Sequence, residues 1–396
     1  MKKYICISFI GLFMFSGCSG GNGSTASTTT SATTTSHSYV GAGSVWDVTI
    51  NSDGTFNIDY KVTANDPVSM TISGTQTTLP SGFLELTVGA TTGSAPDQPN
   101  VGDAVYAFEI PGYTFLLAPL TATDDKIVPM VVSGACPSSF DLNWVATTSP
   151  QDPSVAGNEF FGTASYDSVA QTMISPFPHD LVSFGQAGQA TNITNVTCSG
   201  GIIHFPHVIN NGLPAGDPYA QGNPDIYYYV SATAGGIVHA DFSSVPASRP
   251  PGGKDSIFFA LPVEVGSPLS TFSGVYSGMV FDDSQTVGNK TSFVKVTCDA
   301  SGQCIGGEID PATDADIAGS GVIIHLTASN SPSNGFFTGT IDGYSPVTAA
   351  ATGIPGNIAC ALDSNANGSG KNVISCVFQA PDGTSRSMAN AFLTQR

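Results

Sequence analysis

The chain has 396 residues, with 11 Lys+Arg against 30 Asp+Glu and a formal charge of −19 at pH 7, and its 45 Gly and 26 Pro leave little room for long helices. Binding phosphate needs clustered cations, so this balance argues against nucleic acid as a partner and against a basic patch as the means of holding an anionic membrane. Among the acids only Glu85, Glu109, Glu159, Glu264 and Glu308 are Glu; the rest are Asp, a turn residue rather than a helix former.

At the N-terminus, Lys2 and Lys3 precede an apolar run from Tyr4 to Phe15. The run is shorter than the roughly 20 residues that a spanning helix needs, so it reads as a signal peptide covering residues 1–17. It closes on "FSGC", which resembles the bacterial lipobox, with Phe15 where that pattern prefers leucine. The resemblance implies that Cys18 is acylated and becomes the mature N-terminus, that the membrane is held through acyl chains such as palmitate, and that Ser19 directs sorting to the outer membrane. Residues 18–38 then form a Ser/Thr/Gly tract with almost nothing to bury, a disordered tether whose mean reach is on the order of 25 Å.

Beyond the tether, short runs rich in Val, Ile, Phe, Tyr and Thr recur between Gly, Pro, Asn and Asp. Their number and spacing predict an all-β protein, two or three antiparallel β-sandwich or barrel modules in tandem. The clearest hairpin is "SVWDVTINSDGTFNIDY", in which Asp53-Gly54 supplies a positive-φ turn and Trp46 and Phe56 are core anchors. The phrases "NVTCSGGIIHF" (195–205) and "KVTCDASGQCIGGEI" (295–309) echo one another about a hundred residues apart and suggest two related β-modules. The expected modules are 39–150, 151–265 and 266–396.

Six cysteines remain after Cys6 and Cys18: Cys136, Cys198, Cys298, Cys304, Cys360 and Cys376. Neighbour pairing gives 298–304 and 360–376, with 136–198 by elimination, a disulfide set suited to an oxidising compartment. The phrase "DSNANGSG" places Asp363, Asn365 and Asn367 alternately before Gly368, as in the opening of a calcium loop. Ile374 stands where an EF-hand has its bidentate Glu, so the alternatives are a weak Ca2+ site and a hairpin tip; no other cofactor is expected.

Three phrases end in histidine, "GGIIH" at His204, "GGIVH" at His239 and "GVIIH" at His325, with Asp241 two residues after His239. They admit a metal reading or that of half-exposed strand ends. In "DIYYYVSA", Tyr227 and Tyr229 share a strand face and offer a platform for a glycan or protein ligand, or pack as ordinary strand residues.

There is no GxSxG elbow, HExxH, P-loop or GxGxxG. The whole resembles uncharacterised proteobacterial surface lipoproteins, specifically over residues 1–38 and in style beyond them, and the resemblance implies no activity. Two functions stay open. One is a non-catalytic envelope lipoprotein for binding, adhesion or structure; the other is a glycosidase-like hydrolase of extracellular polymers, whose paired carboxylates leave no sequence signature.

Overall fold

Barrel closure starts at β1 (His37–Gly41), which pairs with β2 (Trp46–Ile50) on one side and β8 (Val128–Val132) on the other. Between them β3 (Thr55–Tyr60), β4 (Met70–Thr78), β5 (Leu84–Gly93), β6 (Ala104–Ile110) and β7 (Thr114–Leu117) run up and down in chain order, completing eight antiparallel strands. This computed structural model describes residues 35–41, 45–62, 66–95, 98–120, 127–147, 159–175, 179–185, 191–205, 226–230, 238–241, 258–282, 291–328, 335–345, 348, 350–351, 353–379 and 388–396. Residues 1–34, with Cys18 and most of the segment expected to be a tether, lie outside the described residues; His37 and Ser38, expected at the end of that tether, instead belong to β1, where they pair with Ile50 and Thr49. Residues 35–396 form one compact unit.

Alternation builds the first barrel. Val48, Phe56, Ile58 and Ile72 point inward and are buried, while Thr49, Asn57, Asp59 and Thr71 take the outward positions and suit water. The β2–β3 turn differs from the Asp53-Gly54 expectation: Gly54 N–H donates to Asn51 O at 3.2 Å, so Ser52 and Asp53 are the central residues. Only Gly54 has a positive φ, 83°. Asp53 instead caps the turn by accepting the Thr55 N–H at 3.0 Å and the Thr55 hydroxyl at 2.6 Å. Phe56 is buried in the barrel core, whereas Trp46 is half-buried at its rim, because β2 begins there.

The middle of the chain forms two sheets. The first holds β9 (Ser139–Thr147), β10 (Glu159–Asp167), β11 (Thr172–Ser175), β12 (His179–Asp180), β13 (Thr191–Thr194) and, last in sequence, β18 (Phe258–Pro262), in the order β13-β11-β10-β9-β18 with β12 paired to β10. The second is β14 (Thr197–Ser199), β15 (Ile202–Phe205), β16 (Ile226–Val230) and β17 (Val238–Asp241) in chain order. Leu142, Trp144 and Ala260 of the first sheet share a core with Ile203 of the second. The strand Ser139–Thr147, grouped by composition with the first module, therefore pairs within the middle body.

The last body is a second barrel: β19 (Gly274–Asp282), β20 (Thr291–Cys298), β21 (Gln303–Glu308), β22 (Val322–Ala328) and β23 (Phe336–Ser345), then, after the short β24 (Ala350–Ala351) on the tip of β23, β25 (Gly356–Asp363), β26 (Val373–Gln379) and β27 (Met388–Gln395). The β22–β23 and β19–β27 pairings join the remaining eight strands into a ring. Two disulfides sit in its core, Cys298–Cys304 across β20–β21 and Cys360–Cys376 across β25–β26. Cys136–Cys198 ties the segment leaving the first barrel to the β14–β15 hairpin. The two "VTC" phrases are thus both hairpin arms, but one cysteine bonds across its own hairpin and the other reaches a distant segment, so the echo is not a duplicated framework.

The outward faces of the barrels are apolar where the bodies meet. Phe108 and Leu116 from the first barrel, Val145 and Phe259 from the middle sheet, and Val377 and Phe392 from the second barrel belong to one continuous core. Phe83 meets Phe293 edge-on at 5.0 Å, and Phe259 lies 5.2 Å from Phe392. Strands on this seam are buried on both faces, as the unbroken burial of "TFLL" in β7 and of most of "GNIACALD" in β25 records.

Replacing Cys360 and Cys376 together by Ala should cost about 3 kcal/mol, and replacing Cys136 and Cys198 about 4, because the second bond closes the longer loop. Urea midpoints of oxidised protein measure both, and an unchanged midpoint for either pair contradicts the assignment of that bond as structural.

Candidate functional site

An eight-stranded barrel is just wide enough either to be filled by side chains or to hold one small ligand. Here Tyr39, Phe56, Phe115 and Met130 fill the first barrel, while Phe272, Tyr276, Phe337 and the two disulfides fill the second.

The two ends of the first barrel are built differently. At one end the strands join through the tight connections 51–54, 79–83 and 111–113. This end meets the second barrel: the Ser81 hydroxyl donates to Pro311 O at 2.6 Å, and the Tyr113 hydroxyl donates to Asp363 Oδ2 at 3.2 Å. The opposite end carries the longer connections 61–69, 94–103 and 118–127 together with 42–45. Trp46 and Tyr60, both half-buried, lie on its rim with ring centroids 4.7 Å apart and planes tilted by 47°. Beyond them Val62 and Val101 are each 64% exposed, and Val68 is 46% exposed. In sequence these connections hold Asp66, Asp97, Asp103, Asp124 and Asp125 against Lys61 and Lys126, and Lys61 is already held by Asp47 at 2.8 Å. Among the described residues of this end, exposed Val62, Val68 and Val101 lie in the same connections as exposed Asp66 and Asp103, in loops of the kind that rigid scaffolds present to partners.

A polar cluster lies where the three bodies join. Asp363, at the end of β25, accepts from Tyr113 and from the Asn365 N–H at 3.1 Å. Glu264, just after β18, accepts the Ser364 N–H at 2.5 Å and the hydroxyls of Ser364 at 2.7 Å and Ser267 at 2.9 Å. Burial, aided by repulsion from Glu264, raises the pKa of Asp363 in spite of its two donors. Asn143 of β9 packs against Gly335, where an added Cβ would come within 2.6 Å of its Nδ2 and 2.2 Å of Glu264 O. The Asn143 amide is fully buried, with no hydrogen-bond partner among the described residues.

The cysteines are paired as described, and Cys18 lies outside the described residues. Asp363 and Asn365 flank the connection from β25 to β26, but Asp363 faces the first barrel and Asn365 Oδ1 accepts the Gly370 N–H at 2.8 Å. The side chain of Asn367 lies outside the described residues. Among the described residues, no three His, Cys, Asp or Glu side chains converge as a metal group. Tyr227 and Tyr229 fall on β16, where Tyr227 opposes His204 on one side and Asp241 on the other. His325 lies apart on β22.

Sequence reading did not find Tyr113, Glu264, Val62 or Val101. Single apolar residues among Asn, Asp and Gly, as in "PNVGD", carry no periodic signal, and the contact of Tyr113 with Asp363 spans 250 residues.

No described protein family matches the sequence, and no curated protein is similar to it. Among solved structures, a double mutant of transferrin binding protein B from Haemophilus parasuis Hp5 is similar at 7% identity, and isotype 1 transferrin binding protein B from serogroup B Neisseria meningitidis at 10%. Each has a TM-score of 0.26, and each match covers 89% of this chain and 65% of the other. The chain thus spans just under two thirds of the length of those structures, and likeness at this level transfers no residue and no ligand.

Because the fold raises the pKa of Asp363, the folded state keeps that proton longer than the unfolded chain. The stability tied to it is fully present below the usual Asp range, about 3.9, and is lost as pH rises through the folded-state value. Asp363→Asn should remove this part of the pH dependence. Urea midpoints of both proteins across acidic pH check it, and parallel profiles contradict it.

Proposed function

We propose that the chain is a non-catalytic outer-membrane lipoprotein, held through acyl chains on Cys18, whose body binds a protein partner at the long-loop end of the first barrel. The observation that carries this reading is the asymmetry of that barrel: its tight end meets the second barrel, its interior is filled, and its opposite end exposes Val62, Val68 and Val101 in connections that also hold exposed Asp66 and Asp103. Charge complementarity makes the partner's matching face basic. The adjacent buried carboxylates Glu264 and Asp363 spend their oxygens on hydrogen bonds between the bodies, which supports a structural use for them over a glycosidase pair.

Binding to arrayed proteins and glycans, with turnover assays on every hit, tests the reading. Basic proteins should be captured, less so at higher salt. Val62→Lys with Val101→Lys should weaken capture by about tenfold, ~1.4 kcal/mol, with thermal stability unchanged. Glycan turnover, or capture indifferent to the paired change, contradicts it. Separately, Cys18→Ser should move the protein from the membrane fraction to the soluble one, and unchanged sedimentation removes the anchor.

A further inference from the structure

The seam between the middle sheet and the second barrel buries polar atoms that no hydrogen bond described above accounts for. Asn143 lies on the face of β9 that packs against the second barrel: it stands two residues before Val145 and opposite Leu261 of β18, and both of these share one core with Ala361 and Val373. Its Oδ1 and Nδ2 are buried, and neither has a hydrogen-bond partner among the described residues. From the other side, Ser375 of β26 shares a barrel face with Ala361, Asp363 and Val373, and its buried hydroxyl also has no partner among the described residues. Such atoms are costly to bury unless something bonds them.

The Asn143 amide is aimed at the cluster of Glu264 and Asp363. The point that a Gly335 Cβ would occupy lies 2.6 Å from Asn143 Nδ2 and 2.2 Å from Glu264 O, so amide and carbonyl border one spot. Ser364 links the two acids: it follows Asp363 in the chain and donates both its N–H and its hydroxyl to Glu264 Oε1. The carboxylates repel each other, and among the described residues no Lys, Arg or His pairs with either. Their hydrogen bonds also leave capacity. A carboxylate offers about four lone-pair sites, of which Asp363 uses two and Glu264 three.

We propose that this seam is a calcium site, in which the carboxylates of Glu264 and Asp363, Asn143 Oδ1 and the main-chain oxygen of Glu264 ligate the ion and water completes the shell. All four donors are hard oxygens, and the two carboxylates balance the charge of the ion; imidazole and thiolate, which zinc and copper favour, are missing from the set. Calcium accepts irregular shells of about six to eight oxygens, whereas magnesium demands a near-ideal octahedron. The site differs from the loop expected at 363–367, because it uses Asp363 without Asn365, whose Oδ1 is held by the Gly370 N–H at 2.8 Å. Its ligands come from the middle body and the second barrel, and Tyr113 of the first barrel bonds one of them, so the ion ties the bodies together.

Calcium titrated into chelator-treated full-length protein, up to about 5 mM, should bind at one ion per chain by calorimetry and raise the melting temperature. Glu264→Gln and Asn143→Leu should each weaken binding by at least about tenfold. Asn143→Leu should also raise the melting temperature without calcium, since it removes an unpaired buried amide, and this separates lost binding from lost folding. Asn365→Ala, in the loop, should bind calcium as the unchanged protein does. Absence of binding over that range, unchanged binding in Asn143→Leu or Glu264→Gln, or a loss confined to Asn365→Ala overturns the proposal.

Discussion

Everything else in this molecule depends on burying the outward faces of two barrels. Closing eight strands into a ring covers the inward side chains, but it leaves every second residue pointing away from the ring. Where those residues are Thr49, Asn57 or Asp59, water suffices. Where they are Phe108, Leu116, Phe281 or Phe392, another surface has to cover them, and each barrel and the middle sheet do this for one another. At roughly 25 cal/mol for each Å² of apolar surface removed from water, a seam of this kind outweighs any single hydrogen bond beside it.

The polar groups on the seam contribute orientation more than net energy. An apolar face tolerates sliding, whereas the bond from Tyr113 to Asp363, the Glu264 contacts to Ser364 and the Ser81 contact to Pro311 are met in one arrangement. That arrangement carries its own costs. Asp363 is a carboxyl held in a place that disfavours its charge, and Asn143 is a buried amide with no partner among the described residues. It also leaves the long-loop end of the first barrel opposite the seam, which is the geometric basis for the proposed binding role.

The sequence showed the fold class because period-2 runs bounded by Gly and Asp are a local signal, and "SVWDVTI" and "TFNIDY" became paired strands. Neighbouring cysteines were legible for the same reason, since Cys360 and Cys376 flank a single hairpin. The turn was misread in detail because Asp-Gly fits two turn geometries, and the longer one uses the aspartate as a cap. The unalternating runs "TFLL" and "VISCVF" held the other half of the architecture: strands with both faces apolar mark a surface that is covered by another body. Which body covers it was not legible, because the partners of Tyr113 and Phe83 come from the far end of the chain. The Tyr227–Asp241 rung was equally hidden, since cross-strand register depends on pairing rather than on sequence spacing.

The central claim is that the shared seam makes the three bodies one cooperative unit. The chain has two tryptophans, Trp46 on the first barrel and Trp144 on β9 of the middle sheet. Urea unfolding followed by fluorescence in Trp144→Phe reports the first barrel alone, and in Trp46→Phe the middle sheet alone. The account predicts that once each transition is referred to the same variant's circular dichroism, local and global curves coincide in both proteins. A first-barrel transition displaced from the global one in Trp144→Phe would contradict it.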